Sequence, residues 1–403
     1  MSENLSGEKL GAEMRHVRSF LLAIAVALVP AIANAAPAMT TNPDAYNYQF
    51  ESNPQAAIRS ARERVAAGDL PGAIKQLATY VAAHPKDADP ARLLGDLYYR
   101  AGDLASAELV YRHILEDSAY DRETHNRLGA VYATQNRVDD AISEYNKSLP
   151  GTDAVPDLVS LHARKGDLSS YIAQVQREGS LGPTNPDAQH SLGSLYLSQH
   201  DYGNALKYFM RELDLMPDSL AGLNQAGVAY MDMGDYARAF TLLNRCLLKD
   251  PANYACTVNL AAGNLETHNY NRGRGLLDRA QSLEPEHPEI MVNYGYLQDA
   301  LGDWKTAVAD YVKALSISPY SRDAYLNLGI DYAQHHLFDL AESALLKGLT
   351  VAPQDAALHY WLGRTYQEQS KRDLAVKQFE AAAQTNDAQV ANLAKLRITQ
   401  LSH

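Results

Sequence analysis

The sequence predicts an all-α solenoid, a series of helical hairpins stacked one on the next. Three observations predict it. A residue skeleton recurs every 34 residues: Gly193, Tyr196, Ala205, Phe209 and Pro217, then Gly227, Tyr230, Ala239, Leu243 and Pro251, then Gly295, Gln298, Ala307, Tyr311 and Pro319, then Gly329, Tyr332, Ala341, Leu345 and Pro353. Small residues occupy two fixed positions of this frame. Gly-Asp pairs fall between its two halves, at Gly68-Asp69, Gly102-Asp103, Gly166-Asp167, Gly234-Asp235 and Gly302-Asp303.

In chain order, the N-terminus comes first. Met14 to Arg18 is basic, Phe20 to Val29 is apolar, and Ala33-Asn34-Ala35 is an A-x-A site. That order reads as a secretory signal peptide over residues 1–35, cleaved before Ala36. The competing reading is an uncleaved anchor, but the apolar stretch contains Pro30 and falls short of the ~20 residues a spanning helix needs. The mature form is expected to have no membrane span and to be periplasmic or secreted. Residues 36–53, rich in Pro, Thr, Asn and Ser, read as a flexible leader.

With the helix A glycine as position 8, repeats begin at Pro54, Ala88, Arg122, Thr152, Pro186, Leu220, Tyr254, Pro288, Arg322 and Ala356. Positions 8 and 20, for example Gly95 with Ala107 and Gly329 with Ala341, are where the two helices cross, so small residues let the backbones approach. Larger residues at positions 7, 11 and 24, such as Leu94, Tyr98 and Tyr111, fill the remaining space. In the Gly-Asp pair, glycine takes the left-handed conformation that ends helix A and aspartate caps helix B. Asn136, His200 and His268 stand in for that glycine. Proline at position 32, as at Pro85, Pro183, Pro285 and Pro319, stops helix B.

Residues 54–151 therefore hold three repeats and residues 186–386 hold six. Between them, 152–185 is a degenerate repeat with Val159 and Tyr171 where small residues are wanted, Pro156 in the first turn, and a preceding repeat shortened at Leu149-Pro150-Gly151. It reads equally as a bend and as simple degeneration. Residues 387–403 form an amphipathic helix that would cap the last repeat.

The 34-residue period with small, small and proline at fixed offsets resembles the tetratricopeptide repeat (TPR) family, and the resemblance covers nearly the whole chain after the leader. It implies a right-handed TPR superhelix and a scaffold that binds a protein or peptide partner on the concave face lined by helix A. Positions 2, 5, 6, 9, 12 and 13 would face that groove. Asn259, Asn293 and Asn327 at position 6, with Gln225 before them, resemble the asparagine ladder of peptide-binding members, whose amides pair with an extended backbone. Asn224, Tyr296, Asp299, Tyr360 and Trp361 are further candidates, with burial by the C-terminal helix the alternative for Tyr360 or Trp361. Carboxylates at position 2 (Asp89, Glu123, Asp153, Asp187, Glu289, Asp323) could receive a basic ligand, although helix capping explains them as well. Exported members also suggest an accessory subunit of an exopolysaccharide, pilus or secretion apparatus, within an envelope assembly complex.

Chemistry is otherwise sparse. No phosphate loop, HExxH or nucleophile elbow occurs, so no enzyme, cofactor or metal site is expected. Among 13 His, only His335 and His336 are adjacent, and neighbours on a helix point about 100° apart. A net charge of -12 argues against a nucleic-acid partner. The two cysteines, Cys246 and Cys256, flank a corner between repeats and are expected to form a disulfide in an oxidising compartment.

Overall fold

The computed structural model describes residues 53–149, 154–284, 287–385 and 387–402. The expected signal peptide, most of the leader, and Pro150, Gly151, Asp153 and Pro285 lie outside the described residues. The chain divides into two compact units that meet in sequence at Gly182 and Pro183. Among the described residues the regular structure is 21 helices, and no helix is long and apolar enough to cross a membrane.

The first unit holds α1 (Pro54–Ala66), α2 (Leu70–Ala83), α3 (Ala88–Arg100), α4 (Leu104–Asp117), α5 (Arg122–Thr134), α6 (Val138–Ser148), α7 (Val155–Lys165) and α8 (Leu168–Leu181). The second holds α9 (Pro186–Ser198), α10 (Tyr202–Leu215), α11 (Leu220–Asp232), α12 (Tyr236–Lys249), α13 (Tyr254–Glu266), α14 (Tyr270–Leu283), α15 (Pro288–Ala300), α16 (Trp304–Ile317), α17 (Arg322–Gln334), α18 (Phe338–Val351), α19 (Ala356–Glu368), α20 (Arg372–Ala382) and α21 (Ala388–Ser402). Odd-numbered helices up to α19 are the first helix of each pair. Within each unit every pair packs on itself and on the next pair in sequence, with one weaker pairing noted below.

The turns follow from residue chemistry. Gly68, Gly102, Gly166, Gly234 and Gly302 all have positive φ, between 76° and 87°. Asn136, His200, His268, His336 and Ser370 hold the same place at φ near 60°. Two of these histidines are fixed locally: His200 Nδ1 lies 3.0 Å from Tyr202 Oη and His268 Nδ1 lies 2.8 Å from Tyr270 Oη. Asp69, Asp103, Asp201, Asp235 and Asp303 cap the following helix, each accepting from the backbone N–H three residues on.

The pairs close through glycine. A Cβ on Gly95 would sit 2.4 Å from the ring of Tyr111, and one on Gly193 would sit 2.4 Å from that of Phe209. The rings occupy the space a side chain would need. In α7 and α8 this contact is replaced. Tyr171, at the small position, is buried and stacks on His162 at 4.3 Å, and His162 Nδ1 bonds Asp167 Oδ1 at 2.7 Å, leaving Asp167 without a capping bond. Among the described residues, α7 and α8 are the most loosely packed helix pair.

Cys246 on α12 and Cys256 on α13 form a disulfide with Cα atoms 6.4 Å apart, both side chains fully buried. It joins the second helix of one repeat to the first helix of the next. α21 lays Val390, Ala391 and Ala394 on the last repeat, against a cluster that includes Tyr360, Trp361 and Phe379. Asp387 caps α21 by accepting from the N–H groups of Gln389 and Val390.

Candidate functional site

In the unit spanning 183–403, the first helices α11, α13, α15, α17 and α19 lie side by side, each touching the first helix of the next repeat. Positions 2, 6, 9 and 13 of a repeat are spaced i, i+4, i+7 and i+11, so they share one stripe of the helix. The stripe reads Ala221, Gln225, Val228 and Asp232 on α11. It reads Ala255, Asn259, Ala262 and Glu266 on α13, and Glu289, Asn293, Tyr296 and Ala300 on α15.

The asparagine ladder is present in register but is not an open row of amides. Asn224 is 6% exposed, Gln225 8%, Asn259 0%, Asn293 3% and Asn327 5%. One reason is small neighbours on the stripe, such as Ala255 and Ala262, which let successive helices come close. Another is pairing within the ladder: Asn259 Nδ2 donates to Asn224 Oδ1 at 2.8 Å. Tyr296 and Asp299 remain partly exposed. Tyr360 and Trp361 are buried against the C-terminal helix and line no groove. Two acceptors in the ladder are unused: Asn259 Oδ1 and Asn293 Oδ1 are buried without a hydrogen-bond partner.

The stripe also ends in two carboxylates that sequence reasoning did not single out, Asp232 and Glu266. Both touch solvent, yet protein surrounds them on most sides. Burial and the neighbouring Glu266 push the Asp232 carboxyl well above its ordinary value. Burial pushes Glu266 up to about 7, against the opposing effect of Tyr236, whose Oη donates to Glu266 Oε2 at 2.7 Å. A signal was available. Asp232 and Glu266 lie seven residues after Gln225 and Asn259, on the same face as the ladder.

Glu289, at the other end of the α15 stripe, is likewise raised well above its ordinary range by burial and by the nearby Asp323 and Glu284. Its neighbour His287, 3.7 Å away, is held down to about 4 by burial and is neutral at pH 7, so it supplies no charge.

Several other carboxylates have cations. In the first unit, Arg92 bonds Asp89 at 2.9 Å and Asp121 at 2.7 Å, and Arg127 lies 2.8 Å from both Asp96 and Glu123. In the second, Arg322 lies 2.6 Å from Asp323 and 2.5 Å from Asp355. The position-2 carboxylates Asp89, Glu123 and Asp323 are therefore internally paired.

Among the described residues no cluster of three or more His, Cys, Asp or Glu could hold a metal. His335 stacks on Trp304 at 4.0 Å, while His336 packs edge-on against Phe338, so the adjacent histidines point to different neighbours.

Family models described as tetratricopeptide repeat match residues 58–122, 263–322 and 326–391, and a second model of the same description matches 223–253. The chain belongs to the tetratricopeptide repeat family. Curated proteins give no match to this TPR chain. Two solved structures resemble it at 12% identity and a TM-score of 0.45. One is the crystal structure of the APC/C hetero-tetramer Cut9-Hcn1, with 89% of this chain and 94% of that chain covered. The other is the yeast Tom70, with 90% and 96% covered.

Proposed function

We propose that this TPR chain is an exported scaffold that binds a peptide segment or partner protein on the stripe formed by α11, α13, α15 and α17. The observation that carries the reading is the pair of buried, unused acceptors, Asn259 Oδ1 and Asn293 Oδ1, on adjacent helices of one face. Buried polar atoms are nearly always bonded, so an orphan pair in register favours a ligand that supplies donors. Gln225, Asn259, Asn293 and Asn327 form the floor, with Tyr296 and Asp299 at its partly exposed margin. The basic-apolar-AxA order of residues 14–35 supports export, and sequencing the mature N-terminus tests it: Ala36 is expected, and an intact Met1 or Met14 would replace export by anchoring.

The binding reading is tested by a photo-crosslinking amino acid at position 296, irradiated in cells. A captured protein or peptide is expected there and not from position 109, where Leu109 is 71% exposed on an outer helix of the other unit. Identical capture profiles from the two positions would refute a site on this face.

A further inference from the structure

The charged groups on this face are all acidic, and the two unpartnered atoms of its ladder are both acceptors. Asp232 and Glu266 end the stripes of two neighbouring helices, α11 and α13, and no Lys or Arg among the described residues pairs with either. Glu289 begins the α15 stripe with a neutral histidine and the carboxylates Asp323 and Glu284 around it. Asn259 Oδ1, two turns before Glu266 on the same stripe, and Asn293 Oδ1, one turn after Glu289, are buried and unpartnered. A ligand with acceptors of its own would leave this set unsatisfied, and an anion would be repelled. The complementary group is one with donors and positive charge only, which among side chains means guanidinium or ammonium.

We propose that the α11–α13–α15 face is a docking site for an extended, arginine-bearing peptide, with guanidinium groups on Asp232 and Glu266. This rests on the peptide-binding reading above and names the ligand's chemistry. Arginine fits better than lysine because its planar fork can bridge a carboxylate with two parallel bonds. Spacing follows from geometry. Adjacent packed helices lie about 8–10 Å apart, and an extended polyproline-II chain advances about 3.1 Å per residue and returns every third side chain to the same face. Arginines three residues apart would therefore meet the two carboxylates in turn. Tyr202 and Tyr236 face this pair from neighbouring helices, and burial holds both hydroxyls protonated, so among the described residues no cation competes for the site. The raised affinity of Asp232 and Glu266 for protons fits the same account, because a proton serves as counter-charge where no cation is present.

The test uses the full chain and a fluorescein-labelled nine-residue peptide carrying two arginines at three-residue spacing in a Gly/Ser/Ala background. Its partner probe replaces both arginines by citrulline, which keeps the shape and removes the charge. Binding is read by anisotropy at pH 8 and moderate salt. The arginine peptide is expected to bind at least tenfold more tightly than the citrulline peptide. Asp232→Asn with Glu266→Gln is expected to erase that difference. Asp89→Asn with Glu116→Gln, at exposed carboxylates of the other unit, is expected to change it less than twofold.

Equal binding of the two peptides, or an equal loss in the control variant, would overturn the proposal. The peptide comparison on the unaltered chain does not depend on any variant folding. A crosslinker at position 296 separates the two levels of the argument. If both peptides crosslink there equally, the face binds peptides and the arginine assignment is wrong. If neither does, both the assignment and the site are wrong.

Discussion

Wherever position 24 of a repeat is aromatic, position 8 is glycine: Gly95 with Tyr111, Gly129 with Tyr145, Gly193 with Phe209, Gly295 with Tyr311 and Gly363 with Phe379. Alanine appears at position 8 only opposite leucine, at Ala61 with Leu77 and Ala261 with Leu277. This makes Gly295→Ala a sharp perturbation. The new Cβ would lie 2.5 Å from Tyr311 Cε1 and 2.8 Å from Cδ1. The ring has no room to yield, being fully buried in a cluster with Ala307 and Ala314. Overpacking of this kind costs about 1–3 kcal/mol, and alanine's helix propensity returns about 0.5–1 kcal/mol. The net expectation is a loss of up to about 2.5 kcal/mol. With Tyr311→Leu in place the facing side chain is flexible, the pairing already present at Ala61 with Leu77 and Ala261 with Leu277, and the same Gly295→Ala change is expected to cost less than in the unaltered background. Urea unfolding followed by the fluorescence of Trp304, seven residues before Tyr311 on α16, completes a double-mutant cycle. A coupling energy near zero, or a stabilising Gly295→Ala in the unaltered background, would refute the packing argument.

Three further outcomes follow from the geometry. His336, at φ 59°, carries a Cβ in a conformation that glycine adopts freely, so His336→Gly is expected to stabilise by about 0.5–1 kcal/mol in thermal melts. Reducing Cys246–Cys256, or replacing both by alanine, is expected to lower stability by up to about 3 kcal/mol for a loop this short; thiol titration of unfolded, unreduced protein should find no free thiol. Glu266 has its folded pKa raised to about 7 from an ordinary 4.5, so the folded state holds the proton more tightly and its contribution is full below pH 4.5 and lost as pH rises through 7. Between pH 5 and 8 the unaltered chain should lose about 1–3 kcal/mol more than Glu266→Gln, the lower end reflecting solvent contact at the carboxylate; parallel pH profiles of the two would refute it.

Repeat spacing was legible because each repeat carries its own instructions. Glycine or a tolerant substitute ends the first helix and aspartate begins the second, and these are local backbone effects. His336 and Ser370 show the same device at positions where sequence reading had not proposed it. Burial of the ladder was not legible for the opposite reason. Whether Asn259 is open depends on Asn224 in the preceding repeat and on how closely two helices from different repeats approach, and a single-repeat pattern contains neither. For Tyr360 and Trp361 the sequence left groove and burial by the C-terminal helix both open, and the helix after the last repeat covers them. Asp232 and Glu266 were readable as acidic residues at a groove position, but their lack of a cation is a property of the assembled face. In the first unit, the similarly acidic stripe is neutralised by Arg92 and Arg127.

The disulfide between α12 and α13 bears on how the chain would respond to tension. Pulled from its ends, a solenoid yields repeat by repeat, each adding its full contour length to the tether. Here the covalent path runs from Cys246 across the sulfur bridge to Cys256, bypassing the turn that divides two repeats. With a sequence separation of 10 at about 3.3–3.6 Å per residue, roughly 30 Å of chain would stay out of the force line however far the helices were drawn out. Adding reductant to a stretched molecule would release that length in one step, placing a mechanical ruler mark at a known point in the array.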